Sequence, residues 1–125
     1  MEKKTVLIVD PDQNQAKKLY LILRRDGLVA NIVDQAADAI RSIYKEHISV
    51  LVLDVEVKDM SWEIAVSIIK DLAPNLPIII TASHNTPELE ARILRQKPFY
   101  YHIKSFGTDE LLLAVQNAIE KPLAR

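Results

Sequence analysis

The sequence predicts an α/β fold in which five strands alternate with five helices: a single doubly wound (βα)5 sandwich built on a five-stranded parallel sheet. Three observations carry this. Short apolar runs at Val6 to Val9, Val50 to Leu53 and Ile78 to Ile80, with a weaker one from Leu28 to Val33, match strands buried on both faces. The stretches between them repeat apolar residues at helical spacing. All six prolines fall between these segments or at a helix start, where a missing N–H does no harm.

Each element has its own signal. The first strand, near residues 4–10, ends at Asp10, and a helix near 12–26 follows, with Gly27 placed to end it. After the second strand, near 28–33, Asp34 is a candidate N-cap for a helix near 34–47 that carries Ala36, Ala39, Ile40, Ile43 and Tyr44 on one face. The third strand, near 49–54, ends at Asp54. Ser61 is a candidate N-cap for a helix near 61–72 with Ala65, Ile68, Ile69 and Leu72 as its stripe. The fourth strand, near 77–81, ends at Thr81, and Thr86-Pro87-Glu88 reads as the capped start of a helix near 86–97. The fifth strand, near 99–103, runs into Lys104. The last helix, near 107–121, turns Leu111, Leu112, Val115, Ala118 and Ile119 inward and leaves Leu113 pointing elsewhere.

Composition narrows the function. A length of 125 residues predicts one domain, 1–125, with no room for a separate output domain. A hydrophobic share of 49% is enough for a real core. Sixteen Lys plus Arg against seventeen Asp plus Glu lack the basic excess that phosphate-backbone binding needs, so no direct nucleic-acid partner is expected. No apolar stretch approaches the roughly 18 residues of a membrane span, and the segment before Asp10 is too short for a signal-peptide core. The expectation is a cytoplasmic protein with no membrane partner. The absence of cysteine excludes disulfides, thiolate metal sites and a cysteine nucleophile, and fits a reducing compartment.

In a doubly wound sheet, ligands gather beyond the carboxyl ends of the strands. There the sequence places Asp10 and Asp12, Asp54 and Glu56, Thr81, and Lys104. If the first and third strands are neighbours, about 4.8 Å apart, Asp10 and Asp54 repel by about 3 to 4 kcal/mol at an effective dielectric near 20. Such a pair demands a cation, a proton or the Lys104 ammonium. A hydroxyl at Thr81 and an ammonium at Lys104 on the same rim can hold an anion carried by one carboxylate, the outline of a phosphoryl-transfer site.

With Val6-Leu7-Ile8-Val9-Asp10, Val50-Leu51-Val52-Leu53-Asp54, Ile78-Ile79-Ile80-Thr81-Ala82, and Tyr101 to Lys104 followed by Phe106, the chain resembles the response-regulator receiver family, the CheY-like domains of bacterial two-component signalling. The resemblance implies a flavodoxin/CheY-like strand order of 2-1-3-4-5 and a phosphorelay signalling role rather than an enzyme. By it, Asp54 accepts a phosphoryl group from a sensor histidine kinase or phosphotransfer protein, Thr81 hydrogen-bonds the phosphate and Lys104 pairs with it. Ala82 leaves access to the aspartate, and Thr81 and Tyr101 form the switch. Mg²⁺ falls to Asp10, Asp12, Asp54 and Glu56. The face of the fourth helix, fifth strand and fifth helix is where a downstream protein partner or a second copy docks.

The sequence departs from the family pattern at three places. Pro11 stands where a second acid is usual, which implies weakened Mg²⁺ binding. Lys104-Ser105 replaces a Lys-Pro step that is commonly cis, and a cis bond before a non-proline costs about 2.5 to 4 kcal/mol, so Lys104 is expected to point differently. Val57-Lys58 and Ser61-Trp62 replace the usual steps after the acceptor aspartate and reshape that loop.

Two rival readings share the same residues. Asp10-Pro11-Asp12 fits the Asp-x-Asp signature of haloacid-dehalogenase-like phosphohydrolases, with Asp10 as nucleophile and Asp12 as general acid. The fold without phosphorylation is a pseudo-receiver, a protein docking or dimerisation module. His47, His84 and His102 lack ligand spacing and read as loop or surface residues. Trp62 is a partner anchor or a shield for its helix end, and Arg92, Arg95 and Lys97 form a solvated face.

Overall fold

The computed structural model describes residues 3–120. Its elements run β1 (Thr5–Val9), α1 (Gln13–Arg25), β2 (Val29–Val33), α2 (Ala36–Lys45), β3 (Val50–Asp54), α3 (Trp62–Leu72), β4 (Ile78–Ala82), α4 (Pro87–Arg95), β5 (Tyr100–Ile103) and α5 (Thr108–Ile119). One 3-10 turn, Lys104–Phe106, joins β5 to α5. The predicted helix end at residue 121, Pro122 and both termini lie outside the described residues.

The five strands form one parallel sheet in the order β2-β1-β3-β4-β5, as expected. Its central strands β1, β3 and β4 are buried almost throughout, because helices cover both faces. Alternation along each strand splits the core in two. Leu7, Val9, Leu51, Leu53 and Ile80 pack with α2, α3 and Ile93 of α4. Val6, Ile8, Val50, Val52 and Ile79 pack with α1 and α5. The register pairs Val9 with Leu53 and Asp54 with Thr81, so the polar residues that end β1, β3 and β4 share one edge.

Helix ends show which local signals operate. Asp12, Ser61 and Thr86 cap α1, α3 and α4 by accepting backbone N–H bonds. Gly27, at φ 84°, closes α1: its own N–H reaches Arg24 O and that of Leu28 reaches Leu23 O, a Schellman arrangement. Asp34 does not cap α2. The N-cap is Gln35, whose side chain makes no capping bond, and the Asp59 carboxylate accepts from Ala36 and Ala37 N, both at 2.9 Å. Desolvation works to raise the Asp59 carboxyl, but those two bonds and one from its own backbone N–H hold it below the usual range.

Two apolar stripes differ from expectation. On α3 the buried set is Trp62, Ala65, Val66 and Ile69, while Ile68 and Leu72 lie outward with Ile64. On α2, Tyr44 is exposed. In both helices apolar residues cover more of the surface than the sheet can bury, so spacing alone does not select the inward face.

Candidate functional site

The acidic edge is set by the strands. Asp10 follows β1, with its N–H bonded to Val33 O of β2, and Asp54 ends β3. Both are buried despite their charge, Asp54 to 1% exposure. Burying carboxylates is costly unless each oxygen finds a donor, and here each one does. Asp10 Oδ1 accepts from Asp12 N at 2.9 Å, and Asp54 Oδ2 from Glu56 N at 2.9 Å. Thr81 Oγ1 donates to Asp54 Oδ1 at 2.7 Å.

The remaining demand is met by Lys104. Its Nζ lies 2.7 Å from Asp10 Oδ2 and 2.9 Å from Asp54 Oδ1, bridging the two carboxylates. Lys104 therefore does not point away. Every peptide bond among the described residues is trans, and the 3-10 turn that begins at Lys104 still lets its side chain reach the acids. Burial works against the Lys104 charge, but the hydrogen bonds and charges of Asp10 and Asp54 outweigh it and push its pKa up. Asp10 moves up because burial and the neighbouring Asp54 charge exceed the pull of Lys104 and the Asp12 N–H.

The structure thus brings together Asp10, Asp54, Thr81 and Lys104, and leaves Asp12 and Glu56 apart. Asp12 is exposed, and its Oδ1 accepts from Asn14 N and Gln15 N at 3.1 and 3.2 Å as the cap of α1. Glu56 is exposed and reaches Asp54 through its backbone N–H. Among the described residues no three His, Cys, Asp or Glu side chains group to hold a metal ion. The four-carboxylate Mg²⁺ set expected from the sequence does not fit this arrangement: two carboxylates face one another, and an ammonium already stands between them. Asp12 is likewise no general acid poised beside Asp10, which removes the geometric basis of the phosphohydrolase reading.

Around the site, Ala82 is buried on the strand edge and Tyr101 is half-buried on β5, its hydroxyl donating to Asn85 Oδ1 at 2.7 Å. Asn85 was not among the residues singled out from the sequence, since nothing local marks it. His47 and His84 are exposed as expected, but His102 is not a surface residue. It is buried inside β5, stacks on Tyr100 with ring centres 6.3 Å apart, and its Nδ1 has no hydrogen-bond partner among the described residues. His102 lines a small cavity of about 20 Å³ together with Asp10, Thr81, Lys104 and Thr108. Burial pushes its pKa down, with the Lys104 charge adding to this, against a backbone hydrogen bond to Gly107 and the charge of Glu110. Trp62 is buried and shields the start of α3; Arg92, exposed with Arg95 and Lys97 on the expected solvated face, lies 5.7 Å over its ring and pairs with Glu63.

Comparison with known proteins agrees with this geometry. The family description "Response regulator receiver domain" matches residues 6–116. The chain is 30% identical over 119 residues to the DNA-binding transcriptional regulator NtrC of Proteus hauseri, covering 95% of this chain and 25% of that protein. It thus spans about a quarter of the length of the curated relatives it matches. Among solved structures, a CheY-like response regulator receiver domain protein from Methanospirillum hungatei superposes with a TM-score of 0.87 at 21% identity, covering 95% of both chains. The response regulator TrrA of Thermotoga maritima, in complex with Mg²⁺ and BeF, does so with a TM-score of 0.82 at 21% identity, covering 92% of this chain and 98% of that one. No helix among the described residues is long and apolar enough to cross a membrane. The fold, the strand order and the family match lead to one conclusion: this chain belongs to the response-regulator receiver domain family, the receiving modules of phosphorelay signalling.

Proposed function

We propose that the chain accepts a phosphoryl group on Asp54 from a sensor histidine kinase or a phosphotransfer protein, acting as one receiver domain in the cytoplasm. The observation that carries this is the buried Asp54 carboxylate, hydrogen-bonded by Thr81 and ion-paired with Lys104. An Asp54 oxygen attacks phosphorus, the N–P bond of the donor phosphohistidine breaks, and the released imidazole nitrogen takes up a proton. The acyl phosphate carries about −2 charge at neutral pH. Lys104 and Thr81 are within reach of the reacting carboxylate and neutralise that charge.

The switch follows from what those contacts do next. Thr81 turns its hydroxyl from the carboxylate to the phosphate, drawing the end of β4 inward. Tyr101, whose hydroxyl donates to Asn85, then shifts with it on the neighbouring β5. The output face is formed by α4, β5 and α5, where Leu94 and Leu113, with Phe106 in the turn between β5 and α5, are exposed and offer apolar contact to a downstream protein or a second copy of the chain.

Receiver domains typically bind Mg²⁺, and the TrrA neighbour is a complex with it. In this chain Asp10 and Asp54 are the carboxylates that face a common point. The departure from the expected four-carboxylate set favours a second reading, a docking module that works without phosphorylation. Incubation with a small phosphodonor and Mg²⁺, followed by intact mass measurement, separates the two. A gain of one phosphate in the wild type that Asp54→Ala lacks supports the acceptor role. No gain supports the docking module.

A further inference from the structure

The acidic pair must be balanced by something, and the structure assigns that role to Lys104: we infer that its ammonium is the resident cation of the pocket and that the unphosphorylated chain binds Mg²⁺ only weakly. This deepens the reading of Asp54 as acceptor, with Asp10 beside it, and rests on it. Mg²⁺ requires near-octahedral oxygen ligation and gives up its waters reluctantly, so it needs carboxylate oxygens that are free to turn toward it. None is free here. Asp10 Oδ1 and Asp54 Oδ2 accept backbone N–H bonds, and Asp10 Oδ2 and Asp54 Oδ1 share the Lys104 Nζ.

Nor is a third acid at hand. Residue 11, next along from Asp10, is proline and offers no side-chain ligand atom. Asp12 cannot turn inward without uncapping the amides of Asn14 and Gln15 at the start of α1. A divalent ion must therefore displace Lys104 from two buried, charge-assisted bonds and gains only two carboxylates in return. With one ammonium against two carboxylates the pocket keeps a net −1, enough to attract a cation but not to outbid the one built in.

The two causes are separable by substitution. Pro11→Asp adds a carboxylate beside Asp10, and Lys104→Met removes the competing ammonium. Titration calorimetry with MgCl2 alone, without phosphodonor, is expected to show no saturation of the wild type by about 10 mM, and binding tighter by about tenfold or more in each variant, since charge count and ligand number tune divalent affinity. Circular dichroism checks that each variant is folded. A wild type that saturates below about 1 mM, or a folded Lys104→Met chain that binds no more tightly than wild type, overturns the inference. If Lys104→Met does not fold, Pro11→Asp decides: no gain there overturns it as well. A chain showing the expected pattern but taking no phosphate loses the acceptor role and keeps this metal behaviour, so the two failures are distinct.

Discussion

Lys104→Met is the sharpest single perturbation of the pocket's stability. Asp10 and Asp54 both touch one nitrogen, at 2.7 and 2.9 Å, so the two carboxylates stand at most about 5.6 Å apart. Without the ammonium, two like charges at that distance repel by about 3 kcal/mol at an effective dielectric near 20, in line with the roughly 3 to 5 kcal/mol lost when one partner of a buried pair is removed. The variant is expected to lose about that much unfolding free energy at pH 7. Urea unfolding read through the single tryptophan, Trp62, measures it, because that side chain is buried in the fold and exposed on unfolding. The deficit has a sign in pH. Removing Lys104 pushes the Asp10 pKa further up, so one carboxyl takes up a proton as the solution is acidified and the deficit shrinks. Asp10→Asn on the same background removes the repulsion and recovers most of the loss. A deficit below about 1 kcal/mol, or one that Asp10→Asn leaves unchanged, refutes the reasoning.

Three further outcomes follow from other parts of the fold. His102 is buried with its pKa depressed below 6.5, so the unfolded chain binds the proton first; wild-type stability falls as pH drops below 6.5, and His102→Leu flattens that dependence in denaturant melts at pH 7 and pH 5. A wild type no less stable at pH 5, after subtraction of the variant's own profile, contradicts this. Asp59→Ala uncaps two amides of α2 and lowers stability by about 1 kcal/mol, with an unchanged melting temperature as the contrary result. At two of the three positive-φ positions among the described residues, Gly27→Ala costs about 1 kcal/mol through the backbone alone, since an added Cβ meets nothing within 4 Å, whereas Lys97→Gly at φ 52° stabilises by a similar amount; equal melting temperatures for both variants and wild type argue against that backbone account.

How much of this was legible in the sequence differs by residue. The buried strands declared themselves, because β1, β3 and β4 are covered on both faces and read as continuous apolar runs. Asp10, Asp54, Thr81 and Lys104 could be picked out because strand ends in a parallel sheet converge, so position along the chain stands in for position in space. Asp12 was misassigned for a reason of local chemistry: an acid just before a helix is drawn to its free amides, and it serves the cap rather than a metal. Asp59 was invisible, since it caps a helix 22 and 23 residues earlier and no spacing rule spans that distance. His102 was readable in part. It falls in the middle of the predicted fifth strand, and β alternation puts it on the same face as Tyr100 and Lys104, but its lack of ligand spacing drew it to the surface instead. The trans Lys104-Ser105 step was expected to misdirect the lysine; the 3-10 turn absorbs that change, a conformational adjustment that composition does not encode.

The claim on which the account stands is that Asp54 is the phosphoacceptor. Borohydride reduces an acyl phosphate to an alcohol, turning a phosphorylated aspartate into homoserine, so treating the phosphodonor-exposed chain with borohydride and sequencing its peptides by mass spectrometry locates the modified residue. Homoserine at position 54, absent when the donor is omitted, is the predicted result. Homoserine at position 10 or 12, or at no position despite a folded chain, contradicts it.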